Sequence, residues 1–278
     1  MKKSLQRLIP KLIGAKINSI SIASPAMAAQ QAFNIFCTPR KGKPYGEQIS
    51  YLEKPKFEKL ISGSCELQSY HWKGTGKKIL LIHGWESNTY RWFRLIEDLQ
   101  KENYDIYAID APAHGYSTGK LLNVPRYAQA IEIAINAYNP DHIIGHSIGG
   151  LATVFHQFHY KPKTLTSAII LGSASELGEI MQDYKAILGL NKRTMKALER
   201  LVLELFGFDF KGFSGASFAK ALSLPALIIH DKYDKITPVS ASQNIHKNWK
   251  NSTYIETEGY GHSLYQEEVR NHILAFLA

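Results

Sequence analysis

The chain has 278 residues, 45% of them hydrophobic, which is enough to bury one large core. Its formal charge of +9 is lopsided, because residues 1 to 60 carry 11 Lys/Arg against three Glu and the remainder is nearly neutral. No aromatic-interleaved basic motif accompanies the excess, which argues against nucleic-acid binding. No apolar run is long enough to cross a bilayer, and Cys37 and Cys65 have neither metal-ligand nor redox spacing.

At the start, Leu5, Leu8, Ile9, Leu12 and Ile13 recur at helical spacing, with Lys2, Lys3, Arg7 and Lys11 elsewhere around the wheel, the arrangement of a membrane-surface helix. Pro10 interrupts that pattern and weighs against membrane contact. The same stretch imitates a secretory signal, with Ala26-Met27-Ala28 resembling a cleavage site, but Arg7, Lys11 and Lys16 break its apolar core. A cytoplasmic location is therefore expected, with export through an atypical signal as the alternative. Residues 25–36 read as a helix and 38–43 as a basic linker. Residues 48–53 and 66–72 read as the first, partly antiparallel strands.

Residues 77–82 give an apolar strand ending in His83-Gly84-Trp85, and residues 106–109 another, closed by Asp110-Ala111-Pro112-Ala113-His114-Gly115-Tyr116-Ser117. Residues 142–144 suit a buried parallel strand, while Leu151, Ala152, Val154 and Phe155 recur as one face of a helix. Between them, Gly145-His146-Ser147-Ile148-Gly149 sets a serine on a strand-to-helix turn. Such a turn strains the backbone, so the glycines fall where a side chain would collide. The helix's first amides stabilise negative charge beside the exposed hydroxyl. After a strand at 167–171, about fifty residues intervene before the strand near 226, where a crossover needs only one helix. Within that insertion Met195, Leu198, Leu201, Val202 and Leu205 form an amphipathic helix, followed by Phe206, Phe208, Phe210 and Phe213. An acidic loop, Asp231-Lys232-Tyr233-Asp234, follows the strand at 227–230, and Glu258-Gly259-Tyr260-Gly261-His262-Ser263 lies near the C-terminus.

In order and spacing, these segments resemble the α/β-hydrolase fold family. The resemblance implies an α/β fold, with a mostly parallel twisted sheet, helices on both faces and a small helical lid. It suggests a basic helical extension and linker at 1–60, a core at 61–172 and 223–278, and the lid at 173–222. The family order of serine, acid and histidine implies Ser147 as nucleophile, Asp234 as orienting acid and His262 as general base. Asp234 is preferred to Asp231 because it precedes the step Ile236-Thr237-Pro238. The backbone amides of Trp85 and Ile148 are the implied oxyanion donors. Candidate substrate contacts are Trp85, His146 and Tyr116, with Tyr184 and Phe213 from the lid. His83 is expected to shape its loop, and His156, His159, His246 and His272 to serve surface or core roles. Ala113 departs from the family's usual glycine after proline.

A serine nucleophile argues against the aspartate-based dehalogenase and epoxide hydrolase chemistries of this family and favours acyl transfer to water. The expected activity is hydrolysis of a small-molecule carboxylic ester, without metal or cofactor. Thioesterase, lipase, peptidase, C–C hydrolase or perhydrolase chemistry on the same residues is the alternative within the enzyme class. A non-catalytic binding module is the alternative outside it. Oligomeric state has no signature in the sequence.

Overall fold

The computed structural model describes residues 2–278, with side chains from Leu8 onward. Its contacts divide the chain into two compact units, one of residues 1–38 with 176–214 and the other of residues 39–175 with 215–278.

The larger unit is built on an eight-stranded sheet of β1 (Lys56–Ser62), β2 (Cys65–Trp72), β3 (Lys78–Ile82), β4 (Asp105–Ile109), β5 (His142–His146), β6 (Ser167–Leu171), β7 (Ala226–Asp231) and β8 (Ser252–Thr257). Their order across the sheet is β1-β2-β4-β3-β5-β6-β7-β8. The β1–β2 and β2–β4 pairings are antiparallel, and all others are parallel. Parallel pairing requires crossovers, and these cover the sheet with helices. On one face Leu81, Ile144, Ile169 and Ile229 pack with Leu95 and Leu99 of α4 (Phe93–Lys101) and with Val269 and Ile273 of α11 (Glu267–Leu277). Other crossovers are α5 (Val124–Tyr138), α6 (Ile148–Tyr160) and α10 (Val239–Asn248), which contact β3, β5 and β7. The central strands are buried along their whole length, which explains why they read as continuous apolar runs.

One expected element is corrected. Residues 48–53 do not form a strand; α3 (Glu47–Leu52) occupies them, and the first strand begins at Lys56. Helical spacing turns Leu52 into the core and lays the Tyr51 ring edge-on to Tyr90 and Phe93. The antiparallel hairpin partner of β2 is instead β1, closed by Gly63 at a φ of 58°.

The smaller unit contains α1 (Lys2–Ala23), α2 (Pro25–Cys37), α7 (Leu177–Leu188) and α8 (Lys192–Phe206). Pro10 lies inside α1 without ending it. Packing of α1 on α2, α7 and α8 offsets the missing backbone bond, so the expected interruption does not occur. Gly14 permits the closest approach, since a Cβ there would sit 1.8 Å from the Leu188 carbonyl oxygen. Asn18 ties the two chain segments together: its amide donates to the Gly189 carbonyl at 2.9 Å, and its Oδ1 accepts from the Asn191 amide at 2.9 Å and the Thr194 hydroxyl at 3.1 Å. Among the described residues no helix is long and apolar enough to cross a membrane.

The insertion leaves the sheet unit after Ser175 and returns at Gly215. Residues 39–60, expected in the N-terminal extension, lie in the sheet unit, as does α9 (Gly215–Ala219), expected in the lid. Asn88 and Gly115 bond to the Gly42 carbonyl, and Leu52 is buried, which accounts for the first assignment. Contacts of α9 with α6 and α10 account for the second.

Candidate active site

Ser147 occupies the turn between β5 and α6 at a φ of 56°, a left-handed conformation that costs energy for any residue with a side chain. Surrounding contacts enforce it. The Ser147 amide donates to the Leu171 carbonyl at 2.9 Å. A Cβ on Gly145 would lie 2.7 Å from the Gly149 carbonyl oxygen, and one on Gly149 would lie 2.4 Å from that of His83. Both glycines are therefore required by the close approach of strand, turn and helix.

Parallel strand order brings the loops after β5, β7 and β8 to one sheet edge. There His262 Nε2 lies 3.0 Å from Ser147 Oγ, and His262 Nδ1 lies 2.7 Å from Asp234 Oδ2. Burial alone would raise the Asp234 pKa. Hydrogen bonds from His230, His262 and the Ile236 amide outweigh it and hold the carboxyl far below the usual carboxylate range. An ionised carboxylate can only accept, so His262 carries its proton on Nδ1 and offers the Nε2 lone pair to the Ser147 hydroxyl. Such an arrangement can remove the hydroxyl proton during attack on a carbonyl.

Asp231 is engaged differently. Its Oδ2 accepts from the Tyr260 amide at 2.8 Å and the Thr257 hydroxyl at 3.0 Å, while Oδ1 accepts from the Tyr233 amide at 3.0 Å. It thereby fixes the base of the loop that carries His262.

Two further histidines support the cluster. Buried His230 has Nε2 3.2 Å from Asp234 Oδ2 and 3.1 Å from the Thr237 carbonyl, and its Nδ1 lies 2.6 Å from the Ser242 hydroxyl. Sequence reasoning missed it because the residue reads as the last apolar-strand position; its only signal is the spacing of four to Asp234. His146 donates from Nε2 to the His262 carbonyl at 2.8 Å, leaving Nδ1 buried without a hydrogen-bond partner. Burial, followed by the positive charge of Arg91, lowers the His146 pKa well below its ordinary value, so it stays neutral. Its observed contacts are with the His262 loop, through that main-chain bond and through the His262 ring, whose centroid lies 4.9 Å from its own. Thr237 adds a hydroxyl that donates to Asp234 Oδ2 at 2.9 Å.

Trp85 and Ile148 follow Gly84 and Ser147 in the chain, and Ile148 is the first residue of α6. Trp85 is half-buried and edge-on to His114, with centroids 5.5 Å apart. Its loop is shaped by neutral histidines. His83 donates from Nδ1 to the Gly84 carbonyl and accepts at Nε2 from the Ala111 amide, while His114 Nε2 accepts from the Glu86 amide at 3.0 Å. Tyr116 is exposed, and its amide donates to Asp110 Oδ2 at 2.9 Å. Tyr184 and Phe213 belong to the helical unit. There Tyr184 donates to the Ala32 carbonyl at 2.8 Å, and Phe213 is buried with its ring edge-on to Phe208. Among the described residues no group of three or more His, Cys, Asp or Glu could hold a metal ion.

The family described as the α/β-hydrolase fold matches residues 77–204. Over 257 residues the chain is 20% identical to an uncharacterized hydrolase, YugF, of Bacillus subtilis, a match covering 74% of this chain and 92% of that protein. Over 103 residues it is 29% identical to norfluorocurarine synthase 1 of Strychnos nux-vomica, covering 35% of this chain and only 38% of that protein. Its structure is similar to that of the esterase RhEst1 from Rhodococcus sp. ECU1013, with a TM-score of 0.62, 16% identity and coverage of 80% of this chain and 98% of that one. Family match, sheet order and structural likeness agree that this chain has the α/β-hydrolase fold.

Proposed function

We propose that the protein is a serine hydrolase that cleaves carboxylic esters through an acyl-enzyme on Ser147. The observation that carries this reading is the relay from Asp234 Oδ2 through His262 to Ser147 Oγ, with contacts of 2.7 and 3.0 Å. His262 takes the hydroxyl proton as Ser147 attacks the ester carbonyl, then returns it to the departing alkoxide. Water repeats the sequence on the acyl-enzyme and releases the acid. Asp234 stays ionised throughout and stabilises the imidazolium. The backbone amides of Ile148 and Trp85 are assigned to the oxyanion, a role supported by the α6 N-terminus beside Ser147.

The insertion is assigned to substrate selection rather than chemistry, since Ser147, Asp234 and His262 all belong to the sheet unit. Turnover of short-chain aryl esters tests the main reading. Ser147→Ala should lower kcat by about a thousandfold or more without loss of fold, because the relay acts as a unit. Retained turnover would remove Ser147 from the mechanism. Binding of an ester without turnover by the wild-type protein would favour a binding module.

A further inference from the structure

Arg91 is 7% exposed, yet among the described residues no carboxylate forms an ion pair with it. Its guanidinium donates from one terminal nitrogen to the Ser263 carbonyl at 2.8 Å and lies over the rings of Trp92 and Tyr265, 4.1 and 5.1 Å from their centroids. Burial pushes its pKa down to about 10, so it remains charged at neutral pH. A buried charge without a counter-ion is costly, and where such a group lines a cleft it is a candidate for a functional site.

Arg91 also lines a pocket of about 560 Å³, all of whose lining residues belong to the sheet unit. The basic segment Arg40-Lys41-Gly42-Lys43 contributes to the same lining. Arg40 and Lys41 are exposed there, and Lys43 spends its charge on the Gly115 and Ser117 carbonyls. One carboxylate, Glu86, lines the pocket, and its Oε1 already accepts from the Arg40 amide at 2.8 Å. Two links tie the pocket lining to the candidate chemistry: Arg91 holds the carbonyl of Ser263, the residue after His262, and Glu86 is the residue after Trp85.

We propose that this pocket binds an anionic oxyacid group, a carboxylate or a phosphate, on the ester substrate, with Arg91 as the principal donor and Arg40 and Lys41 supplying the surrounding positive field. The planar guanidinium matches such a group by paired N–H donors. The inference rests on the Ser147 ester-hydrolase reading and narrows it to esters carrying a negative charge away from the scissile bond.

The test compares 4-nitrophenyl butyrate with the 4-nitrophenyl monoester of glutaric acid, which differs mainly by a terminal carboxylate. Wild-type protein at low salt should prefer the charged ester by about tenfold in kcat/KM, and the preference should shrink as salt rises. Arg91→Gln should reduce that ratio about tenfold, and the double variant Arg40→Ala, Lys41→Ala about threefold without touching the Ser263 contact. A wild-type ratio of one or less overturns the proposal. So does an equal loss on both esters in Arg91→Gln, which would confine Arg91 to positioning the His262 loop. If neither ester turns over, the ester reading fails separately and calorimetry decides. Saturable binding of glutarate or inorganic phosphate, weakened in Arg91→Gln, supports the pocket, and the tighter ligand identifies the oxyacid. No binding of either overturns it.

Discussion

The sheet unit and the helical unit hold themselves together in opposite ways. In the sheet unit the decisive contacts follow from short motifs: Gly145 and Gly149 bracket Ser147, and Asp231 holds the His262 loop through the Tyr260 amide. In the helical unit they join chain segments far apart in sequence, as Asn18 does with Gly189 and Asn191. The first unit therefore carries chemistry that local sequence can announce. The second carries packing that it cannot. Titratable imidazoles divide the same way, because residues 1–38 and 176–214 contain no histidine and all 11 lie in the sheet unit.

The largest expected effect separates two aspartates of the sheet unit. Asp234→Asn should lower kcat by about 10³ to 10⁴, since an amide cannot both orient His262 and stabilise its cation. Asp231→Asn should act chiefly on stability, by about 1–3 kcal/mol, through weakened acceptance from the Tyr260 and Tyr233 amides. Steady-state kinetics and urea melts of the two variants measure the split, and the reverse ranking in kcat would transfer the acid's role to Asp231.

The same contrast explains what could be read in advance. His83-Gly84-Trp85, the Ser147 turn and the loop holding His262 are legible because each combines a strand end with residues chosen for backbone geometry. The central strands are legible because burial on both faces makes them continuous apolar runs. Residues 48–53 are not, since Ile49, Tyr51 and Leu52 suit either period and the turn at Gly46 settles the matter. Union of α1 and α2 with the insertion is equally hidden, as helix pairing depends on shape, such as the missing side chain at Gly14, rather than on a motif. The basic linker is visible as charge, but the partner that gives it meaning, Arg91, becomes distinctive only once its burial is seen.

A smaller effect is expected in the helical unit. Asn18→Ala removes an acceptor for the Asn191 amide and Thr194 hydroxyl, and should cost about 1–3 kcal/mol. Hydrogen exchange should quicken in α1, α7 and α8 while labelling of Ser147 by an active-site probe persists. Equal loss of protection in β3, β5 and β6 would indicate that the two units unfold together.

Acid should distinguish the units most gently. His83 is held neutral first by burial and then by His114, and His156 is held neutral by burial against the pull of Glu132; both pKa values fall from 6.5 to about 4. Between those values the unfolded chain binds more protons than the folded one, so their contribution is complete above 6.5 and is lost as pH falls toward 4. Protection factors, with the slower intrinsic exchange at low pH divided out, should therefore fall between pH 7 and pH 5 around β3 and α6 more than in α1 and α8. A uniform change across both units would contradict the assignment of acid sensitivity to these imidazoles.

The most direct measurement is peptide mapping by mass spectrometry after incubation with a fluorophosphonate, which phosphonylates a serine only when a neighbouring base has activated it. The expected result is one adduct per chain on the peptide containing Ser147, slowed by orders of magnitude in His262→Gln and Asp234→Asn. A folded wild-type protein that gives no adduct, or an adduct on a different serine, would contradict Ser147 as the nucleophile.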